Sequence, residues 1–411
     1  MLLKLGWYWT PQTNWNHGAW FEIIDGKLHS KSATESLKLI DDPLSKASSF
    51  WDLSDSIVLP GFINSHCHLE LSSLQNKIEP TKSFSQWVSK LQALVINWSD
   101  TDWEQSYLFG LEESLKSGTT RILDVANRDW SVFMESYQGV QVRLQKEILG
   151  LNPNDLKKIQ SVNSDFLEQA KISGDELIPH APFSCSSELI SWIVAQADWL
   201  NLHLSESREE AAFFNSNSGP LWDFVERIYP DIQVNSKTPY SHVFKNVLTP
   251  ETIPNRVLIT HGNTLTSNEI DDCIKQGYYL SHCPGSRAYF EHPQQAWAQY
   301  IESGLKVCIG TDSLASTSSL SLWDELTRLT LEFPSLSEPQ VLAMVTKHPA
   351  EIMNLPDEGC IRDGAQANFQ ILESWVEYSS VHTNSQTPNL STINYKPTIQ
   401  SVVIQGVKYE Q

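Results

Sequence analysis

Positive charge is scarce in this sequence. Its 411 residues include 29 lysines and arginines against 49 aspartates and glutamates, a formal net charge of −20. Such a field repels phosphate backbones and anionic lipid headgroups, so we expect neither nucleic acid nor a membrane as a partner. A small neutral or cationic substrate is the partner that this balance favours.

Long apolar runs are also missing. No stretch reaches the 18 apolar residues that would indicate a membrane-spanning helix, and residues 1–11 lack the apolar core of a secretory signal peptide. The six cysteines are scattered without paired spacing, which predicts reduced thiols and a cytoplasmic location. A homodimer is one assembly that the sequence allows.

From Pro60 onward, strand-like and helix-like segments alternate. Eight strand candidates occur in order: Phe62–His66, Thr119–Val125, Val140–Leu149, Glu176–His180, Trp199–Leu204, Arg256–His261, Tyr278–His282 and Lys306–Gly310. Helix-like segments such as Phe84–Ile96 and Trp103–Ser117 lie between them. Eight alternations predict the α/β class and a (β/α)₈ TIM-type barrel. The alternative, a solenoid, would show a fixed-period repeat, and none is visible.

The two ends of the chain differ from the middle. Residues 1–58 hold short apolar-aromatic runs between polar turns, and residues 358–411 contain two further strand-like runs, Asn368–Leu372 and Thr398–Val407. This pattern predicts one small β-sandwich-like domain built from both termini, beside a barrel domain at 59–357.

Two polar stretches interrupt this pattern. Residues 210–250 are interpreted as an insertion after the fifth barrel strand, either a loop or a lid over the active site. Residues 378–395, rich in Ser, Thr, Asn and Pro, are interpreted as a flexible insertion in the terminal domain.

The first barrel strand ends in two histidines, His66 and His68. Side chains two residues apart on a strand point to the same face, about 7 Å apart. This spacing suits two imidazoles that bind one metal ion at Zn–N distances of about 2.0–2.1 Å. A bare His-x-His pair is more often a surface or core feature without a ligand, so the other ligands must be sought elsewhere in the chain.

Half of the 12 histidines lie at predicted C-terminal strand ends, which meet on one face of a parallel barrel. These six are His66, His68, His180, His203, His261 and His282. Three imidazoles and a carboxylate suit a divalent ion such as zinc, with one position left for water. We assign this role to His66, His68, His203 and Asp312, and expect one Zn²⁺, with Fe²⁺ as the alternative.

Catalytic groups are expected beside these ligands. A divalent ion lowers the pKa of a bound water from about 15.7 toward about 7. Glu206, three residues past His203, is predicted to act as general base and proton shuttle. His261 is predicted to hold the nucleophile and to stabilise developing negative charge.

Five segments, in order, carry a family resemblance: Pro60–His68, His203–Glu206, Thr260–Gly262, His282–Ser286 and Gly310–Ser316. Together they resemble the amidohydrolase superfamily, within it the mononuclear branch of cytosine, guanine and adenosine-type deaminases and related chlorohydrolases. The resemblance extends almost from end to end. Binuclear members carry a carboxylated lysine at the end of strand four, where this sequence has His180, so the resemblance implies one metal ion.

The resemblance implies hydrolytic deamination of an amine-bearing ring carbon. The catalytic role of Asp312, in stabilising a tetrahedral intermediate with His261, is implied only by this resemblance. Hydrolysis of a ring C–Cl or C–N-alkyl bond uses the same site, so both leaving groups stay open. The alternative from another class is a non-catalytic barrel that binds a ligand. That alternative predicts a broken ligand set, whereas all four ligand positions and Glu206 hold competent residues.

Substrate contacts are predicted for four residues at or near the strand ends: Glu70, His180, His282 and Ser313. The segment that His180 opens resembles the part of nucleoside deaminases that contacts the sugar or the ring. Trp87 is a candidate for the pocket wall, although core packing is the favoured interpretation.

The run His68–Ser72, followed by the helix with Trp87, is most similar to aminodeoxyfutalosine deaminases of the alternative menaquinone pathway. The resemblance therefore implies a 6-aminopurine nucleoside or derivative as substrate. 6-Amino-6-deoxyfutalosine comes first, ahead of S-adenosylhomocysteine, methylthioadenosine and guanine.

Overall fold

A barrel of parallel strands and a sheet built from both chain ends form the described part of the computed structural model, which covers residues 1–41, 49–230, 254, 256–374, 388 and 397–411. The strands are β1 (Leu2–Thr10), β2 (Asn14–Ile24), β3 (Lys27–Lys31), β4 (Phe50–Pro60), β5 (Phe62–Cys67), β6 (Thr119–Ala126), β7 (Gln141–Ile148), β8 (Glu176–Pro179), β9 (Leu200–Leu204), β10 (Val257–His261), β11 (Tyr279–His282), β12 (Lys306–Ile309), β13 (Phe369–Ser374), β14 (Ile399–Ile404) and β15 (Val407–Glu410).

Helices follow most of the barrel strands. They span Ala33–Asp41, Phe84–Val95, Asp100–Lys116, Ser131–Ser136, Leu156–Val162, Ser164–Ser173, Ser187–Val194, Arg208–Ser216, Pro220–Ile228, Ser267–Gln276, Pro284–Tyr289, Trp297–Glu302, Leu322–Glu332, Glu338–Ala343 and Lys347–Ile352, with short 3₁₀ helices at Leu69–Leu74 and Pro153–Asp155. None of these described helices has both the length and the apolar character needed to cross a bilayer.

The barrel consists of strands β5 to β12. They form two parallel four-stranded sheets, β5-β6-β7-β8 and β9-β10-β11-β12. Backbone hydrogen bonds join the sheets at both seams: His203 N donates to His180 O (2.9 Å), and Thr311 N and Asp312 N both donate to His66 O (3.0 and 3.1 Å). The predicted (β/α)₈ barrel is therefore confirmed, and each predicted barrel strand overlaps an observed one.

Local sequence explains where several outer helices begin and end. Ser99 and Asp102 form a capping box at the start of Asp100–Lys116, and Thr266 and Glu269 form another at the start of Ser267–Gln276. Each box satisfies backbone N–H groups that the first helical turn leaves without partners. Gly277 ends the second of these helices with φ +70°, a conformation that favours glycine.

Both chain ends contribute to one seven-stranded sheet in the order β15-β14-β13-β4-β1-β2-β3. The pair β1–β4 is parallel, and the other pairs are antiparallel. This sheet has its own apolar core, including Leu3, Phe21, Val58, Phe369 and Val403. The predicted pairing of the two termini is confirmed as this single sheet, while the boundaries at 58 and 358 stay a prediction.

Gly61 joins the terminal sheet to the barrel, since β4 ends at Pro60 and β5 begins at Phe62. A Cβ atom at Gly61 would lie 2.2 Å from the side chain of Thr120. The Gly61 N–H also donates to Asn368 O (3.0 Å). Only glycine fits this close approach, and it fixes where the strand that carries His66 starts.

A buried ion pair connects the barrel to the segment that follows it and leads back into the terminal sheet (the returning segment, residues 358–374). Arg121 on β6 donates through Nε and Nη2 to the two carboxylate oxygens of Glu358, each at 2.6 Å. The two side chains are only 15% and 7% exposed. Because loss of one partner leaves a buried charge uncompensated, such pairs are costly to break singly.

We expect Arg121→Leu to lower the free energy of unfolding by about 3–5 kcal/mol. Chemical denaturation followed by circular dichroism measures it. The double variant Arg121→Leu/Glu358→Leu should lose less, because neither charge then stays buried alone. Equal stability of Arg121→Leu and the unchanged protein would contradict this account.

The first polar insertion is partly helical. Arg208–Ser216 and Pro220–Ile228 are helices, which corrects the loop interpretation for that part, and residues 231–253 lie outside the described residues. The other predicted insertion, residues 378–395, also lies outside the described residues, apart from residue 388. All six cysteines are buried and unpaired, as their spacing predicted.

Candidate active site

Three histidines meet at the C-terminal ends of β5 and β9. His66, His68 and His203 each offer a ring nitrogen, and these nitrogens lie within 4.8 Å of one another. The His66 ring is fully buried, and neither of its nitrogens has a hydrogen-bond partner within the described residues. Nδ1 of His203 lies 3.0 Å from His180 O. That bond orients the ring and leaves Nε2 for a ligand.

Asp312 completes the cluster from the end of β12. Its Oδ1 lies 3.9 Å from His66 Nε2 and 3.7 Å from His68 Nε2. Ser313 N donates to Oδ1 (2.7 Å) and Ser316 Oγ to Oδ2 (2.9 Å), which orients the carboxylate. A Cβ atom at Gly310 would lie 2.7 Å from the Cβ of His66, so glycine permits this close approach.

This donor set fits a divalent cation. Burial lowers the pKa values of His66, His68 and His203. The neutral imidazole is the form that binds metal. Three neutral imidazoles and one carboxylate, with both ring nitrogens of His66 lacking a hydrogen-bond partner among the described residues, match the chemistry of zinc and related ions.

Glu206 and His261 lie beside the cluster. Glu206 Oε1 is 3.7 Å from His261 Nε2, and both side chains are buried. Burial raises the pKa of Glu206 well above its usual range and lowers the pKa of His261 to about 4. The Glu206 backbone is held at both ends: its N–H donates to Glu210 (2.8 Å), and its carbonyl accepts from Asn263 (3.0 Å). The pair is therefore a fixed acid–base arrangement.

Three of the ten described non-glycine residues with positive φ lie at these strand ends. Ser205, His261 and Asp312 have φ values of 58°, 74° and 60°. Left-handed conformations cost non-glycine residues about 1–3 kcal/mol each and persist only where the surroundings impose them. The three residues follow or end β9, β10 and β12, the strands that position His203, His261 and Asp312.

A cavity of about 520 Å³ opens above the cluster. Its floor includes His68, His203, Glu206, His261 and Asp312. Its walls combine nine aliphatic side chains with six aromatic ones: Phe84, Trp87, Trp103, Phe183, Phe224 and Tyr229. Apolar walls around a few convergent polar groups are typical of small-molecule sites, and the volume lies in their usual range.

A sequence profile of the amidohydrolase family matches residues 57–408. The chain belongs to the amidohydrolase family. The match spans the barrel and the returning segment, and it confirms both the family resemblance and the prediction of a hydrolytic enzyme.

Known proteins resemble this amidohydrolase over nearly its full length. The 5-methylthioadenosine/S-adenosylhomocysteine deaminase of Thermococcus sibiricus is 24% identical over 419 residues, covering 95% of this chain and 91% of the relative. Helicobacter pylori aminofutalosine deaminase in complex with methylthio-coformycin is 20% identical with TM-score 0.80, covering 99% of each chain. An atrazine chlorohydrolase mutant from Arthrobacter aurescens TC1, complexed with zinc and atraton, is 17% identical with TM-score 0.76, covering 100% of this chain and 95% of the other. The structural likenesses establish the fold.

The four substrate-binding predictions fall into different places in this amidohydrolase. His180 and Ser313 line the cavity, and His180 Nδ1 bonds Ser184 Oγ at 2.6 Å. His282 is buried with its ring 4.8 Å from the ring of Trp297, and it is absent from the described residues that line the cavity. Substrate contacts of all four stay predictions.

Glu70 also lines the cavity, but its carboxylate is occupied. It accepts hydrogen bonds from Asn127 N (2.9 Å), Arg128 N (3.3 Å) and Trp130 Nε1 (3.0 Å). These contacts fix the loop after β6. The observed partners therefore make Glu70 a residue that positions the loop as well as a lining residue.

Trp87 is a wall of the cavity. Its Nε1 donates to Ala315 O (3.1 Å) across the site, which fixes the indole plane. The pocket-wall interpretation, which the sequence favoured less than core packing, is the one that the geometry supports.

Sequence reasoning missed Glu147, which lines the cavity near the end of β7. Burial raises its pKa to about 8, and the neighbouring Glu70 adds to the shift. The signal was available, since Glu147 lies near the end of the predicted strand Val140–Leu149. The strand-end prediction covers the histidines and Asp312 and omits this carboxylate at the third strand.

Proposed function

We propose that this amidohydrolase is a metal-dependent hydrolytic deaminase of a 6-aminopurine nucleoside or derivative. The observation that carries the proposal is the buried set His66, His68, His203 and Asp312 with the pair Glu206–His261 beside it, at the floor of an aromatic cavity. A divalent cation bound by this set, Zn²⁺ in our proposal, would lower the pKa of a water to near neutrality.

The chain's own residues supply the remaining chemistry. The oxygen of one water adds to the ring carbon that bears the amine, and Glu206 transfers a proton from that water to the adjacent ring nitrogen. His261 donates a hydrogen bond to the oxygen on the tetrahedral carbon, and Asp312 accepts one from that oxygen's remaining proton, so both hold the intermediate. Glu206 then carries the remaining hydroxyl proton to the exocyclic amine, the C–N bond breaks, and the products are a ring carbonyl and ammonia.

The aromatic side chains in the cavity wall favour a purine ring as the group that binds there. Phe84 and Trp87 have ring centroids 6.0 Å apart and lie over the catalytic floor. Flat aromatic side chains favour offset-stacked or edge contacts with a heteroaromatic substrate. Relatives named as nucleoside deaminases point to the same substrate class.

Our first candidate substrate is 6-amino-6-deoxyfutalosine, an intermediate of the alternative menaquinone pathway that carries an aromatic carboxylate. Of the described residues that line the cavity, Arg128 is the lone lysine or arginine. Its guanidinium lies 5.4 Å from the ring of Trp103. Arg128 Nη2 already pairs with Asp100 Oδ1, so an aromatic acid would share this guanidinium with Asp100 through its other N–H groups. A cationic side chain in the cavity lining supports this candidate over uncharged methylthioadenosine.

Ammonia release from a substrate panel tests the proposal. Purified protein loaded with zinc, or with iron in a parallel series, is incubated with 6-amino-6-deoxyfutalosine, S-adenosylhomocysteine, methylthioadenosine, adenosine and guanine. We expect the highest kcat/KM for the first, since it alone offers both an aminopurine and an aromatic carboxylate.

Three outcomes would contradict parts of this proposal. Preference for S-adenosylhomocysteine or guanine would replace the substrate but keep the reaction. Chloride release from a chlorotriazine, without turnover of any aminopurine, would indicate a chlorohydrolase. Metal-loaded protein that binds nucleosides without turning over any of them would indicate a binding barrel.

A further inference from the structure

Glu210 lies four residues beyond Glu206, the proposed acid–base group. It is the third residue of the helix Arg208–Ser216, and its side chain is fully buried. Its two carboxylate oxygens accept from two consecutive backbone N–H groups: Oε1 from Ser205 (3.1 Å) and Oε2 from Glu206 (2.8 Å). One side chain therefore holds the peptide groups on both sides of Ser205.

Residues 207–210 follow the capping-box pattern, Ser-x-x-Glu, but Glu210 reaches further than such a box requires. Ser207 caps the helix, since its Oγ accepts from Glu210 N (3.1 Å). In the box at Thr266, the carboxylate of Glu269 returns to the N–H of the capping residue itself (2.7 Å). Glu210 reaches past its capping residue to the two residues before it, so these contacts serve the end of β9.

The turn that Glu210 holds is strained. Ser205 has a φ of 58°, a conformation that persists in residues with a side chain only where the surroundings impose it. The carbonyl groups are held from the neighbouring strand end: Thr264 N donates to Ser205 O (3.0 Å), and Asn263 Nδ2 donates to Glu206 O (3.0 Å). Glu210 supplies the acceptors for the N–H groups. Together these contacts impose the turn that places Glu206 in the cavity floor.

The helix that carries Glu210 is itself anchored. Glu209 Oε2 accepts from Ser85 N (3.1 Å), in the first turn of the helix that forms one cavity wall. Phe213 is 1% exposed, and its ring lies 6.5 Å from the ring of Phe183 in the same wall. A group that orients another side chain needs a rigid support, and this helix provides one.

We propose that Glu210 is a positioning residue for Glu206: its carboxylate holds the left-handed turn at Ser205 and so fixes where the acid–base carboxyl lies. Glu210 is absent from the described residues that line the cavity, so it acts through Glu206 and not on the substrate. The inference rests on the proposed function, because Glu206 carries protons only in such a reaction.

Glu210→Gln tests the inference with little change in shape. One acceptor oxygen becomes an NH₂ group, which then faces a backbone N–H, so the turn is no longer held on both sides of Ser205. A misplacement of about 1 Å can cost about 10²-fold in rate. We expect kcat for the preferred aminopurine nucleoside to fall about 10- to 10²-fold, with KM nearly unchanged. Glu210→Asp, which keeps both acceptor oxygens on a shorter side chain, should lose less.

A double variant separates positioning from a general loss of structure. In Glu206→Gln the carboxyl that Glu210 positions is already gone, so addition of Glu210→Gln should lower the residual kcat no further. Circular dichroism and elemental analysis establish that each variant folds and holds its metal. Glu269→Gln is the matched control. It removes a buried capping carboxylate outside the described cavity lining, and kcat should stay normal.

Two results would overturn the inference. One is an equal fall in kcat from Glu210→Gln in the wild-type and Glu206→Gln backgrounds, or the same fall in Glu269→Gln, either of which would make Glu210 a structural cap. The other is a normal kcat in Glu210→Gln while Glu206→Gln is impaired. A wild type that turns over no aminopurine nucleoside would instead refute the proposed function itself.

Discussion

Glu206→Gln should reduce kcat by at least about 10²-fold, the usual contribution of a positioned acid–base group. The amide matches the carboxyl in shape but cannot carry a proton between water and a ring nitrogen. Glu206 suits that task because it lies in the cavity floor, 3.7 Å from His261 Nε2, with its pKa raised by burial. Steady-state ammonia release with the preferred nucleoside gives the measurement.

Fold and metal content should be unchanged in Glu206→Gln, since the backbone contacts of Glu206 to Glu210 and Asn263 remain. Glu226→Gln is the matched control. It lies on the exposed side of Pro220–Ile228, a helix whose other side lines the cavity. Near-normal kcat in Glu206→Gln would refute its assigned role.

Loss of the metal should abolish turnover. His66→Asn removes a fully buried imidazole from the centre of the cluster, where its ring lies 4.8 Å from His68 and 4.9 Å from His203. We expect substoichiometric metal by elemental analysis. Mutation of a residue that only hydrogen-bonds to a metal ligand typically costs about 10- to 10²-fold in activity. Loss of the ligand His66 itself should lower kcat by more than that.

Removal of the metal from the wild-type protein with a chelator should also abolish turnover, and addition of metal should restore it. Activity regained with Zn²⁺, Fe²⁺ or both decides which ion the site uses. His17→Ala, an exposed histidine on β2, should keep full metal and full activity. Full turnover by metal-free protein, or a normal metal content in His66→Asn, would overturn the ligand assignment.

The barrel was predictable from the sequence because each strand is a short apolar run, and helix caps such as Gly277 separate the runs. The predicted strand Tyr278–His282 corresponds to β11 (Tyr279–His282), and Trp199–Leu204 to β9 (Leu200–Leu204). The predicted and observed bounds differ by one residue at the strand ends. There, hydrogen bonds to neighbouring strands decide the boundary rather than local sequence preference.

Polar composition was misleading after β9. Residues 208–228 carry enough charged and polar side chains to resemble a loop, yet they form two helices. Leu221, Phe224 and Tyr229 point their apolar side chains into the cavity wall. Leu221, Phe224, Val225 and Ile228 recur at helical spacing and share one face, so periodicity indicated the second helix where polar composition suggested a loop.

The sequence by itself determined the barrel, the family, and the convergence of His66, His68, His203, Glu206 and Asp312, because parallel strands bring their carboxyl ends to one face. Which strand-end side chains reach the cavity was decided only by the tertiary structure. His282 packs against Trp297 instead of the cavity, whereas Glu147 enters it. The physical reason is that a strand's period of two gives the face of each residue, but the neighbours it meets there come from segments distant in sequence.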